Sequence, residues 1–475
     1  MRVTQNDNMA QGTVEVHELD RQDVESYFIP GGKVFERFFD CPLDHLQPSD
    51  ERRLRIFARH IVPLGKEDKM HELPFILYLQ GGPGFECRLP ASVKSGWYRT
   101  AIDEGYQILL LDQRGTGLSS PINSSTLDQH FTTADKVEYV THFRADDIVR
   151  DCEHIRNVLC RGRTDKASRK ITLLGQSFGG FCIATYLSLF PDSISKALIT
   201  GGIPPLVESP DTVYMATYQR MIARNKQYYA TFPRDISRVR KIIEHLNKTE
   251  VSLPDGGRLS PRRFQQLGIK FGYTGGFNTL HQIVFQAASD LEMTGKLSTH
   301  TLAEITQLTS FDTNPLYCIM HESIYCQNGN ASRWSAHRVR EQFFADEFEH
   351  EWNKVLARKD SSAPVYFTGE SVYPWMLDDY AELRKLQDVA IGLAEYTGWG
   401  QLYNTKVLAS NRTPVAGIAY YNDMFVDFNF SEQTSKSIGG FHLWVSNAYL
   451  HNGISASPHV PEYLFQLLRG DITDL

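Results

Sequence analysis

Nowhere in this 475-residue sequence is there an apolar run long enough to span a bilayer: the longest, Phe75 to Leu79 and Ile108 to Leu111, are strand-length. That excludes a membrane-spanning helix, and the polar, acidic stretch Met1 to Asp20 has no apolar h-region of the kind a cleaved secretion signal needs. Basic residues are in deficit, 49 against 56 acidic, for a net charge of -7, so no basic surface is offered to nucleic acid. Cysteine is scarce, seven in all (41, 87, 152, 160, 182, 318, 326), an odd and scattered set without a C-x-x-C pair; these read as reduced, buried residues of a cytoplasmic protein. The five N-x-S/T sequons, beginning at Asn123, Asn247, Asn330, Asn411 and Asn429, then read as chance. Internal repeats and low-complexity tracts are absent. What remains, 41% hydrophobic and 22% charged, is an ordinary globular composition with length for one large core and a second lobe.

The stretch richest in information is Lys170 to Gly180, where the apolar run Ile171 to Leu174 enters Gly175-Gln176-Ser177-Phe178-Gly179-Gly180. G-x-S-x-G between a buried strand and a helix is the pattern of a nucleophile elbow, in which the chain reverses sharply and lifts the serine hydroxyl clear of the sheet. A side chain at Gly175 or Gly179 would collide with the neighbouring strand or helix. The backbone N–H of Phe178, at the start of the helix, is placed to hold a developing oxyanion.

Around this elbow the chain reads as alternating strands and helices. A polar arm, residues 1–27, precedes two alternating segments, Val34 to Phe39 and Arg52 to Val62, expected to pair antiparallel at one edge of the sheet. Pro74 to Leu79 is apolar on consecutive residues, the mark of a strand buried on both faces, and runs into Gln80-Gly81-Gly82-Pro83-Gly84. Tyr106 to Leu111 does the same before Asp112-Gln113-Arg114-Gly115-Thr116-Gly117, and Ile148, Cys152, Ile155 and Leu159 fall at helical spacing. After Ala197 to Thr200 the pattern turns helical and polar from Leu206 to about Lys359, with parallel strands expected to resume at Ala363 to Phe367, Pro414 to Tyr420 and Phe441 to Val445, and a last helix at Pro461 to Leu468. The expected fold is α/β, a mostly parallel doubly wound sheet with a large helical cap inserted after a central strand: core 1–205, cap 206–360, core again 361–475.

A serine on an elbow needs a base and an orienting acid, which follow it in the order Ser, Asp or Glu, His. His451 stands on the loop after the last strand, whereas His442 lies within that strand and His459 borders the final helix. Asp423 immediately follows the strand ending at Tyr420 and is the preferred acid; Asp427 competes with it, and Asp378 and Asp379 are weaker candidates.

Taken together, Gly81-Gly82-Pro83-Gly84, Asp112-Gln113-Arg114-Gly115-Thr116-Gly117 and Gly175-Gln176-Ser177-Phe178-Gly179-Gly180 resemble the signature set of proline iminopeptidases (prolyl aminopeptidases), larger type, of the alpha/beta-hydrolase superfamily. The resemblance extends through His321-Glu322-Ser323-Ile324-Tyr325, Thr368-Gly369-Glu370, Pro374-Trp375-Met376, Asn422-Asp423-Met424 and His451-Asn452-Gly453, and so over nearly the whole chain from Val34; it departs at Gln80, where that family usually has histidine. It implies an alpha/beta-hydrolase fold and a serine aminopeptidase acting on peptides with a free N-terminal proline, without cofactor or metal. Ser177, Asp423 and His451 would be catalytic, and the amides of Gly82 and Phe178 the oxyanion hole. Glu322 first, then Glu370, would hold the substrate amine. Asp112 and Arg114 read equally well as a structural ion pair shaping the loop beside the site. An esterase or amidase of the same fold, or a non-catalytic binding protein built on it, stays open, as does assembly into a homo-oligomer.

No H-E-x-x-H occurs, and Tyr325 stands where a zinc helix would need its second histidine after His321. Hydrolysis is therefore expected to survive exhaustive chelation; loss of turnover with EDTA and its return with zinc would contradict the serine mechanism.

Overall fold

The computed structural model describes residues 25–129, 132–309, 311–357 and 363–472. Its strands are β1 Ser26–Ile29, β2 Gly32–Pro42, β3 Arg53–Pro63, β4 Phe75–Leu79, β5 Gln107–Asp112, β6 Ile171–Gln176, β7 Ile194–Thr200, β8 Val415–Tyr420 and β9 Phe441–Ser446. They form one sheet in the order β1-β2-β3-β5-β4-β6-β7-β8-β9. The first three are antiparallel, β3 also runs antiparallel to β5, and every pairing from β5 to β9 is parallel.

Consecutive apolar residues in the central strands serve two cores. Side chains alternate across a strand, so Leu77, Leu79, Leu109, Leu111, Leu173 and Ile199 pack to one side with Ile148 and Phe181 of the helices Ala145–Leu159 and Phe178–Leu189. Ile76, Tyr78, Ile108, Leu110, Leu174 and Leu198 pack to the other with Trp97 and with Leu464 of the terminal helix His459–Arg469. β9, by contrast, is an edge strand, and His442 on it is exposed. All seven cysteines are unpaired and buried. No helix among the described residues is long and apolar enough to cross a membrane.

Two expectations need correction. Ser26 and Tyr27, read as the end of a polar arm, belong to β1: the turn at Gly31 folds the segment onto β2, and the Tyr27 hydroxyl donates to Glu36 at 2.6 Å. The rest of that arm lies outside the described residues, as does the boundary drawn at 360 and 361. The second correction concerns Ala363 to Phe367, which forms no strand. Asn225 of the helix Pro210–Thr231 takes both backbone groups of Phe367, each at 2.8 Å, while Gln265 donates to the Tyr366 carbonyl at 2.9 Å. A buried extended chain must satisfy its amides and carbonyls somewhere; here helix-borne side chains do it, and the periodicity of the segment cannot distinguish them from a neighbouring strand. Short helices follow, Met376–Asp379, Ala381–Lys385, Gln387–Glu395 and Thr405–Ala409, so the sheet resumes only at β8.

Between β7 and β8 the described residues otherwise form helices and connecting loops, with one isolated bridge between Ser252 and Arg258, as the polar spacing of the segment predicts. Pro210–Thr231 and Asp235–Lys248 are separated at Pro233, and Gly276–Thr294 and Thr299–Leu308 complete the longer helices, with the shorter Ser335–Phe343 after them. This insertion leaves the sheet at the carboxyl end of β7, the edge at which open α/β sheets bind ligands.

Candidate active site

β6 delivers Ser177 into a turn at φ 54°, ψ -125°, and the helix Phe178–Leu189 starts at the next residue. A side-chain-bearing residue at such a φ costs on the order of 1–3 kcal/mol and persists only where its surroundings hold it there. They do: the Ser177 amide donates to the Thr200 carbonyl at 3.0 Å, and the Ser177 carbonyl accepts from Gly180 at 2.7 Å. The glycines are required by crowding. A Cβ on Gly175 would sit 2.5 Å from the Gly179 carbonyl, and one on Gly179 would sit 2.0 Å from the Leu79 oxygen.

His451 follows β9 and Asp423 follows β8, as their loop positions suggest. The imidazole Nδ1 is 2.8 Å from Asp423 Oδ2, and Asp423 Oδ1 accepts the Phe425 and Val426 amides at 2.8 and 3.2 Å. Burial works against the imidazolium of His451, but the Asp423 carboxylate, with Glu370 beyond it, outweighs burial and holds the histidine above its ordinary pKa. The competing acids are engaged elsewhere. Asp427 caps the helix Phe428–Ser437 and pairs with Arg220 at 2.9 Å; Asp379 is buried against Ser260 and Arg262; Asp378 is exposed. The sequence gives no hint that Gln176, the variable residue of the elbow, braces the histidine: its Nε2 donates to the His451 carbonyl at 2.9 Å, and its Oε1 accepts from Thr200 at 2.7 Å.

Ser177 and His451 line one cavity of about 530 Å³, together with Gln80, Gly81, Gly82, Lys270, Tyr273 and Glu370. The glycine-rich loop lies against the serine, such that a Cβ on Gly81 would be 2.9 Å from Ser177 Cβ. Gln80 stiffens that loop, accepting from Tyr78 and from the Gly81 amide, both at 3.0 Å. The Gly82 amide meets no acceptor among the described residues, and the amide of Phe178, in the first helical turn, has no intrahelical partner. Two N–H groups, one on a cavity-lining loop and one on the residue after the serine, are thus left without an acceptor among the described residues.

The two glutamates separate sharply. Glu370 lines the cavity, accepts from the Tyr317 hydroxyl at 3.0 Å, and is raised by burial to about 7. Glu322 is not among the residues lining the cavity. Its two oxygens accept the Ser335 and Ala336 amides, each at 2.9 Å, at the start of the helix Ser335–Phe343; burial raises it too to about 7. Glu370 therefore lies in the cavity with Ser177 and His451, whereas the carboxylate of Glu322, the first nominated, is held by the helix terminus.

Asp112 and Arg114 do not pair with each other. Arg114 is buried in a bidentate pair with Asp151 at 2.7 and 2.6 Å and also donates to the carbonyls of Leu43 and His142. Asp112 instead accepts the Cys87 and Leu118 amides at 2.9 and 3.0 Å. The turn thus ties the helix Ala145–Leu159 to one side and the loop at Cys87 to the other.

Residues 74–240 match the alpha/beta hydrolase fold family. The chain is 41% identical over 429 residues to a proline iminopeptidase of Aeromonas sobria, covering 90% of this chain and 94% of that one. It is 37% identical over 417 residues to a proline iminopeptidase of Aspergillus aculeatus, covering 88% and 89%. On this likeness over nearly its full length, the chain belongs to the proline iminopeptidase family of alpha/beta-hydrolases.

Proposed function

We propose that this protein is a cytoplasmic serine aminopeptidase that releases an N-terminal residue, preferentially proline, from peptides. Ser177 attacks the carbonyl of the first residue; His451 takes the hydroxyl proton at Nε2 and returns it to the leaving amine; Asp423 holds the proton on Nδ1. The oxyanion is received by the amides of Gly82 and Phe178. The helical insertion between β7 and β8 acts as the cap that limits access to the amino end of the substrate. One observation carries the reading: a half-buried carboxylate, Glu370, lines the same cavity as the serine and histidine. A free N-terminus is what separates an aminopeptidase substrate from an internal peptide bond, and a carboxylate in the cavity recognises it by charge.

Glu370→Gln tests this. Removing one partner of a desolvated charge pair costs about 2 to 5 kcal/mol, or a factor of roughly 30 to several thousand, so kcat/KM for a proline amide should fall by such a factor. An activated ester without an amine should lose far less. The acid limb of its pH profile should also move to lower pH, because Glu370 helps hold the His451 pKa up, and without that charge the base form survives to lower pH. An equal loss on both substrates, with the limb unmoved, would make Glu370 a structural residue only.

A further inference from the structure

Three basic side chains border the cavity, and two already have carboxylate partners: His451 with Asp423, and Arg88 with Glu86, Nε to Oε1 at 3.3 Å. Lys270 is different. No carboxylate lies within 4.0 Å of its ammonium among the described residues; the group stands 5.7 Å from the ring centre of Tyr273, another cavity residue. Burial alone acts on it, lowering its pKa, with no acid to oppose that effect. A partly buried ammonium without a counter-charge is a standing cost, and on a substrate cavity it marks a place where the ligand brings the negative charge.

The location follows from the backbone. Lys270 lies in the 3-10 segment Gln266–Gly272, and the Gly272 carbonyl accepts the His451 amide at 3.1 Å. Two residues further on, the Thr274 amide donates to Asn452 Oδ1 at 2.9 Å. The segment is thus fastened to the loop bearing the base. In the mechanism above, the base hands its proton to the leaving amine, so the residue after the scissile bond lies on this side of the cavity. Consecutive Cα atoms are about 3.8 Å apart, and in a dipeptide the carboxylate belongs to that very residue.

We infer that Lys270 binds the C-terminal carboxylate of short substrates, so that proline-led dipeptides are favoured over the same peptides with a blocked C-terminus. The inference rests on the aminopeptidase reading and adds to it the far end of the substrate. Lys270 would be a specificity residue, outside the chemical step.

The experiment compares Pro-Gly with Pro-Gly amide, as a ratio of kcat/KM values, in the full-length wild-type enzyme, Lys270→Met and Lys270→Arg. A hydrogen bond between charged groups corresponds to a preference of about 10- to 100-fold, so the wild type should favour the free carboxylate by that much. The ratio should fall close to one in Lys270→Met and be largely retained in Lys270→Arg, which keeps the charge. A wild-type ratio near one would overturn the inference while leaving the aminopeptidase reading intact, as would a ratio unmoved by Lys270→Met. Cleavage of neither peptide would overturn the aminopeptidase reading, and this inference with it.

Discussion

Ser177→Ala is expected to lower the turnover of a proline amide by about 10⁶, the scale seen when one member of a catalytic unit is removed, without lowering the thermal midpoint. The stability half of this expectation comes from the elbow. Alanine keeps the Cβ that Gly81 packs against and meets the same backbone demand at φ 54°; the hydrogen bonds that fix the turn run through the backbone of residue 177, to Thr200 and from Gly180. What is lost is the oxygen that would form the acyl-enzyme. The residual rate, from the oxyanion amides and the binding of the amine, should remain some 10³- to 10⁴-fold above water. Retention of a tenth or more of wild-type turnover in a clean preparation would remove Ser177 from the role assigned to it.

How far the fold could be read in advance depended on how local each cause was. The elbow was legible because its constraints lie within a few residues: strand, tight turn and helix succeed one another, and the glycines answer to contacts made at once. β4, β5 and β8 were legible because burial on both faces leaves an uninterrupted apolar run. His451 and Asp423 could be nominated because loops at the carboxyl ends of parallel strands converge on one edge of the sheet. Causes that act across the chain were hidden. Arg114 could not be matched to Asp151 from sequence, since a helix on the far side of a loop supplies that carboxylate. Ala363 to Phe367 has strand composition, but the groups that satisfy it stand on helices inserted between β7 and β8. Glu322 and Glu370 were both marked by motif; only their surroundings, two helix amides for one and an open cavity for the other, tell them apart.

Asp423→Asn should lower kcat by about 10⁴ with little change in substrate binding, whereas Asp427→Asn should be mild. In the first variant the amide oxygen can still accept the Phe425 and Val426 amides that Oδ1 now accepts, so the loop is kept. The amide nitrogen then faces Nδ1 of His451. A donor there demands an acceptor, so the imidazole carries its proton on Nε2, the nitrogen that has to receive the proton of Ser177. Loss of the carboxylate charge also removes the chief support of the raised His451 pKa, and the acid limb of the remaining activity should move to lower pH. Asp427 offers the contrast because its work is structural: asparagine caps a helix about as well as aspartate, and the pair with Arg220 lies partly in solvent on the arginine side, where one ion pair contributes little. Steady-state kinetics of the two variants on one proline amide decides the matter. If Asp427→Asn proved the more damaging, the acid behind His451 would be misassigned, and the 2.8 Å contact to Asp423 would have to be a packing contact.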